Sequence, residues 1–243
     1  MAVEVYRLIL WFIFNNKTMK KRFFNVFVFA TIAVSTISCK DNKQSTVEPG
    51  EAQEAATASE TATTYEINNE ESTIEWRGTK PTGEHRGTID IQSGSISATQ
   101  EEIQSGNVVI DMTSITVTDE GISEEDKTNL ENHLKGTVEG KETDFFNVEE
   151  FPTATFEITG VTEANGQKML QGNLTIKEDT KNIEFPVSTS IDENELSLES
   201  ETFTIDRTDW KVNYGSQSVF DNLGDNWISD EIELTIKVKA NKQ

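Results

Sequence analysis

The sequence predicts an all-β protein, an antiparallel sheet of about eight strands closed into a barrel, with one short helix. Three observations predict it. Apolar and polar residues alternate through most of the chain after Tyr65, the period of a strand with one buried and one wet face. Turn-forming residues punctuate these runs at short intervals, as a meandering sheet requires. The stretch from Tyr65 onward is about 180 residues long without an internal repeat, the length of one domain.

The elements follow in order. Ile74 and Trp76 mark a first strand closed by Pro81-Thr82-Gly83, and Ile89 and Ile91 a second ending near Ser93-Gly94. After Ser105-Gly106, Val108, Ile110 and Met112 form a third. A helix comes next: Ser123 with Asp126 three places on has the capping-box layout, Leu130 and Leu134 share a face, and Gly136 is a stop. Lying between strands, it is expected to act as a lid or plug at one barrel end. Phe156 and Ile158 lead through Asn165-Gly166 to Leu170, Leu174 and Ile176. Ile183, Phe185 and Val187 follow, with Pro186 demanding a bulge or an unpaired position. Beyond Asp192-Glu193-Asn194 come Leu196 and Leu198, then Phe203 and Ile205. The clearest alternation is last: Ile232, Leu234, Ile236 and Val238 separated by Glu233, Thr235 and Lys237.

Ahead of this domain, Met19-Lys20-Lys21-Arg22 and the apolar run Phe23 to Ile37 form a signal segment over residues 1–38, residues 1–18 being an over-extended start. Thr36-Ile37-Ser38-Cys39 ends it and holds the only cysteine, which reads as the lipid-accepting residue of a bacterial lipoprotein. Localisation is then the cell envelope, with a lipid anchor and a periplasmic or surface-facing barrel. Residues 39–64 comprise that cysteine and a stretch rich in Glu, Ala, Thr, Ser and Gln, expected to be a disordered tether.

Net charge is -22, and removal of residues 1–38 takes away five basic residues and one acidic, leaving the mature part near -26. Such a field repels phosphate backbones, so nucleic acid is not an expected partner. With the cysteine committed to lipid, no disulfide is available and stability must come from an apolar core. Two histidines, His85 and His133, leave few members for a nucleophilic triad, and no enzyme activity is expected. His133 reads as a helix-end residue. Neither zinc nor an EF-hand has its ligand spacing here, so no metal or cofactor is expected.

Asp144-Phe145-Phe146-Asn147-Val148-Glu149-Glu150-Phe151-Pro152, followed by Thr155-Phe156, resembles the D-F-F-D-V-x-x-[YF]-P-x-[IAT]-x-F signature of YceI-like proteins. Gly172-Asn173-Leu174-Thr175-Ile176-Lys177 is similar to the G-x-L-T-I-K strand of that family, and Phe203 to Trp210 to its F-x-I-[DN]-R-x-x-[FW] segment. Ile115 to Thr118 and Leu130 to Leu134 fit the preceding strand and helix. The resemblance runs from Tyr65 to about Ala240. It implies a lipocalin-like barrel that binds a polyisoprenoid, a quinone-like lipid or a fatty acyl chain. Departures are Glu178-Asp179 in place of glycine, additional residues Gly136 to Thr143, and Glu71-Ser72 in place of a histidine-serine pair.

An eight-stranded barrel is either filled by its own side chains or holds one small ligand, and alternation fits both. The second outcome makes the chain a lipid binder or carrier, joined to the membrane by its anchor. The first makes it a structural or adaptor module for another envelope protein. A homodimer formed through an exposed strand edge is compatible with either. Wall and rim candidates for a ligand are Trp76, Phe145, Phe146, Phe156, Phe185, Phe203, Trp210, Tyr214, Phe220 and Trp227. Arg207, alone among acidic and aromatic neighbours, is the candidate for a phosphate or carboxylate head; the alternative is a salt bridge with Asp206 or Asp209.

Overall fold

The computed structural model describes residues 45–243; the expected signal segment and Cys39 lie outside the described residues. Eleven strands and one α-helix occur among them: β1 (Ser45–Thr46), β2 (Thr63–Ile67), β3 (Thr73–Lys80), β4 (Gly83–Ala98), β5 (Ile103–Val117), α1 (Glu124–Lys135), β6 (Thr153–Ala164), β7 (Gln167–Ile176), β8 (Asp179–Ile191), β9 (Glu195–Ser200), β10 (Phe203–Asp206) and β11 (Glu231–Lys242). Strands β3 to β9 pair antiparallel with their neighbours, and β11 joins β9 to β3, so eight strands close into a ring. The expected barrel of about eight strands with one helix is what forms. Beside the ring, β2 pairs β4 and β11, and β10 pairs β11.

Local chemistry sets the joints. Asn165 and Gly166, at φ 54° and 79°, form the two-residue turn between β6 and β7, where positive φ matches the strand twist. Lys177, at φ 55°, takes the left-handed position in the next hairpin, ahead of Glu178-Asp179. Pro186 in β8 accepts from Glu201 N–H just beyond the last β8–β9 ladder pair, Val187 with Ser200. The side of Pro186 that has no donor therefore faces the end of a ladder. Helix α1 starts as its sequence dictates: Ser123 Oγ accepts from Asp126 N–H at 3.1 Å, and Gly136, at φ 73°, closes the last turn on Asn132 O and His133 O. Glu131 ties α1 to the sheet by accepting from Val117 N–H at 2.8 Å. Ser72, in the altered Glu71-Ser72 pair, exchanges hydrogen bonds with the backbone of Lys239.

One expectation is corrected. The stretch read as a solvated tether through Thr64 is, from Ser45 on, a strap built into the barrel. β1 runs parallel to β10, Val47 is 5% exposed, and Gly50 makes a reciprocal bridge with Asn182 of β8. Gln53 N–H donates to Asn173 Oδ1 at 3.0 Å while Asn173 Nδ2 donates back to Gln53 O at 2.7 Å. Ala56 N–H then takes Ile158 O, at an irregularity in the β6–β7 ladder, and Ser59 N–H takes Gln104 Oε1. The physical reason is that β9 pairs β8 only from Val187 to Ile191, leaving the first half of β8 an open edge that the strap fills. Polar side chains there are buried by polar chain, which hydrophobic periodicity does not register.

Candidate functional site: a half-hollow barrel

Inward residues of the strands divide into two groups along the barrel. At one end Ile91, Ile96, Ile158, Leu170, Val187, Leu196, Leu198 and Val238 pack solidly, each no more than 5% exposed. At the other end the inward side chains stand apart around a cavity of about 490 Å³, open between the β3–β4 hairpin, α1 and the segment Asp225–Ser229. This volume lies within the range of ligand pockets, roughly 300 to 1,000 Å³. The question left by the alternating pattern has a split answer: one half is filled and the other hollow.

The wall is built from aromatic and aliphatic side chains: Ile74, Trp76, Ile110, Met112, Phe156, Leu174, Ile183, Phe185, Phe203 and Leu234 among them. Phe185 stacks on Phe203 with ring centroids 4.4 Å apart and planes 9° from parallel, and Phe156 leans on Phe185 at 5.7 Å. Two glycines make room. A Cβ at Gly172 would lie 2.2 Å from Phe156 Cζ, and one at Gly87 would lie 2.7 Å from Trp76 Cζ2. Both large rings therefore rest flat against bare backbone.

Of the residues expected to touch a ligand, Trp76, Phe145, Phe146, Phe156, Phe185, Phe203, Arg207, Tyr214 and Trp227 all border this cavity. Two do not. Trp210 has no exposed surface: its indole N–H donates to Leu174 O at 3.0 Å and its ring is packed within the core, off the cavity wall. Phe220 projects from the mouth loop, the segment between β10 and β11, at 49% exposure and is not part of the wall.

Arg207 is also corrected, in role. Its guanidinium is turned into the protein: Nε donates to Ser229 O at 2.9 Å, Nη2 to Ile228 O at 3.1 Å and Nη1 to Val212 O. Asp230 stands 3.5 Å from Nη2, in place of the anticipated Asp206 or Asp209. Burial lowers the guanidinium pKa from its ordinary value, with Asp230 and then Asp206 opposing. With 3% of the residue exposed, Arg207 is a clamp that holds the two sides of the mouth loop together.

Both histidines, which sequence reasoning set aside, border the cavity. His85 Nδ1 lies 2.5 Å from Asp119 Oδ2, and the other oxygen of Asp119 accepts from Arg86 N–H at 2.8 Å. His133 Nε2 lies 2.7 Å from Asp144 Oδ2, with Phe145 and Tyr214 edge-on to its ring at 5.1 and 5.0 Å. The alternating register could have found His85: it sits on the same inward series as Gly87 and Ile89, opposite Gly78. No such signal marked His133, whose place depends on how α1 crosses the mouth.

Comparison with known proteins agrees with this architecture. The family model described as the YceI-like domain matches residues 65–240. Burkholderia cenocepacia BcnA is similar in structure at a TM-score of 0.54 and 18% identity, covering 72% of this chain and 99% of its own. A polyisoprenoid binding domain from Saccharophagus degradans, implicated in plant cell wall breakdown, is similar at a TM-score of 0.50 and 12% identity, covering 74% and 98%. No curated protein matches the chain.

Proposed function

The chain belongs to the YceI-like family, and on that premise we propose that it binds or carries one long apolar molecule, a polyisoprenoid, quinone-like lipid or fatty acyl chain, in the hollow half of its barrel. The observation that carries this reading is the cavity itself: about 490 Å³ walled by aromatic and aliphatic side chains and open at one end. Its energetics suit a chain-like guest. One five-carbon isoprene unit buried there contributes about 3 to 4 kcal/mol gross, at roughly 0.8 kcal/mol per carbon. A charge-assisted hydrogen bond at the head adds about 1.5 to 3 kcal/mol, so the wall governs affinity and the mouth governs orientation. The description of the Saccharophagus degradans domain as polyisoprenoid binding is in keeping with this choice of guest. No reaction is assigned.

The same proposal places the protein in the cell envelope, anchored through lipid on Cys39. Its physical support is the leader ending in the chain's single cysteine. The strap shortens the leash that was expected. Only six peptide steps separate Cys39 from Ser45, a span of at most about 20 Å. An anchored barrel would then work at the membrane surface, where an apolar guest enters and leaves.

Uptake of N-phenyl-1-naphthylamine tests the binding reading, since its fluorescence rises in apolar surroundings. Saturation at one probe per chain is expected, with a several-fold loss of uptake in Met112→Trp, which fills the cavity from its wall. Absence of saturable uptake by the unaltered protein contradicts it.

A further inference from the structure

The inner face of the β3–β4 hairpin changes in character from its tip inward. Cross-strand partners on that face are Lys80 with Gly83, Gly78 with His85, Trp76 with Gly87, and Ile74 with Ile89. All but Gly83 and Gly87 border the cavity. A cation therefore stands at the rim, an imidazole one layer below, an indole next and aliphatic side chains at the base. Gly78 leaves a gap beside the imidazole, since a Cβ there would meet nothing within 4 Å.

The imidazole is held. Asp119, 9% exposed, grips Nδ1 with one oxygen and Arg86 N–H with the other, so ring position and the engaged nitrogen are fixed by backbone. Among the described residues Nε2 of His85 has no hydrogen-bond partner and Lys80 makes no ion pair. Among the same residues the Trp76 indole N–H is buried without an acceptor. In a chain of net charge -22, the cavity lining carries Lys80, His85, His133 and Arg207 against one carboxylate, Asp225.

We propose that His85, Lys80 and the gap at Gly78 form a head-group subsite for an amphiphile with an acidic head, a carboxylic or phosphoric acid. This deepens the carrier reading and rests on it. An imidazole whose Nδ1 is engaged by Asp119 presents Nε2 to the head, and a head that is ionised in water enters with one proton taken from solvent, shared between Nε2 and a head oxygen. Whichever atom keeps that proton, the contact is hydrogen-bonded. Lys80 at the rim then balances the charge. A methyl ester of the same chain has neither proton nor charge and keeps only a neutral carbonyl acceptor, a weaker partner for Lys80.

The test uses the full chain stripped of bound lipid, with palmitic acid, hexadecyl phosphate, methyl palmitate and hexadecane as probes in a displacement titration. The acids are expected to bind at least tenfold more tightly than the ester. That ratio should fall toward one in His85→Leu and in Lys80→Met. Gly78→Val, which fills the gap without touching Asp119, should lower it as well and guards against misfolding of any one variant. Equal affinity of acid and ester for the unaltered chain, with hexadecane still bound, overturns the head-group inference alone. A ratio that survives in all three variants overturns it too. Failure of every probe to bind overturns the carrier reading beneath it.

Discussion

Gly50 and Asn182 exchange both of their backbone hydrogen bonds, Gly50 N–H to Asn182 O at 2.8 Å and Asn182 N–H to Gly50 O at 3.0 Å. The Asn182 side chain then donates to Thr159 Oγ1 and Asn173 Oδ1 and accepts from Gln53 Nε2. Strap and barrel therefore share one buried polar network on the outer face of β6 to β8, in which Gln53, Asn173 and Asn182 each make more than one bond. Asn182→Ala is expected to cost about 1 to 3 kcal/mol in urea unfolding. In native-state hydrogen exchange the amides of Gly50 and Ala56 should be protected alongside the sheet, and exchange at coil rates would show the strap to be detached.

Gly172 faces the ring of Phe156 with no room for a Cβ. Gly172→Val should drive that ring into the cavity, lowering stability by about 1 to 3 kcal/mol and reducing the uptake of apolar guests together. Thermal melting and probe uptake on the same sample check both. A stable variant with full capacity would mean that the ring moves elsewhere.

Arg207 spans the mouth loop through three carbonyls and Asp230. Arg207→Ala leaves these acceptors without their donor and should destabilise by about 3 to 5 kcal/mol, as loss of one partner of a buried ion pair does. Headed and headless ligands are expected to lose affinity alike. Selective loss of acidic ligands would return Arg207 to the head-group role its sequence context suggests.

Asp209 has its pKa raised from the ordinary 3.8, by burial first and by Asp206 second, with Lys181 opposing. The sign follows from linkage: a carboxyl whose folded pKa is raised binds its proton more tightly in the native state. Its contribution is full below the ordinary value and is lost as pH rises through the raised one. Asp209→Asn should therefore raise the melting temperature near pH 7, and the gain should vanish below about pH 4. A gain constant across that range would contradict the assignment.

How much was legible in the sequence follows from which interactions leave a period. Strands such as β11 show their buried face in Ile232, Leu234 and Ile236, and α1 announces itself through Ser123, Asp126 and Gly136, because burial and capping act at fixed spacing. The hollow was not legible. Phe185 beside the cavity and Leu196 in the solid end obey the same alternation, and only three-dimensional spacing separates them. The strap escaped because its contacts are hydrogen bonds between polar groups, to which composition is blind. Trp210 reads as wall in the sequence, since an aromatic in a strand-rich region carries apolar area, whereas its indole N–H settles its place on Leu174 O. The role of Arg207 is hidden from the sequence for a related reason, its partners being carbonyls of Val212, Ile228 and Ser229 that no side-chain pattern reveals.

The central claim is that the open half of the barrel is a container. Native mass spectrometry of the chain, purified without detergent from cells of its own kind, measures this directly. The account predicts a one-to-one adduct that an organic solvent extracts and that is recovered as a long-chain lipid. A bare polypeptide mass, unchanged after incubation with a C16 acid and a C16 hydrocarbon, would contradict it.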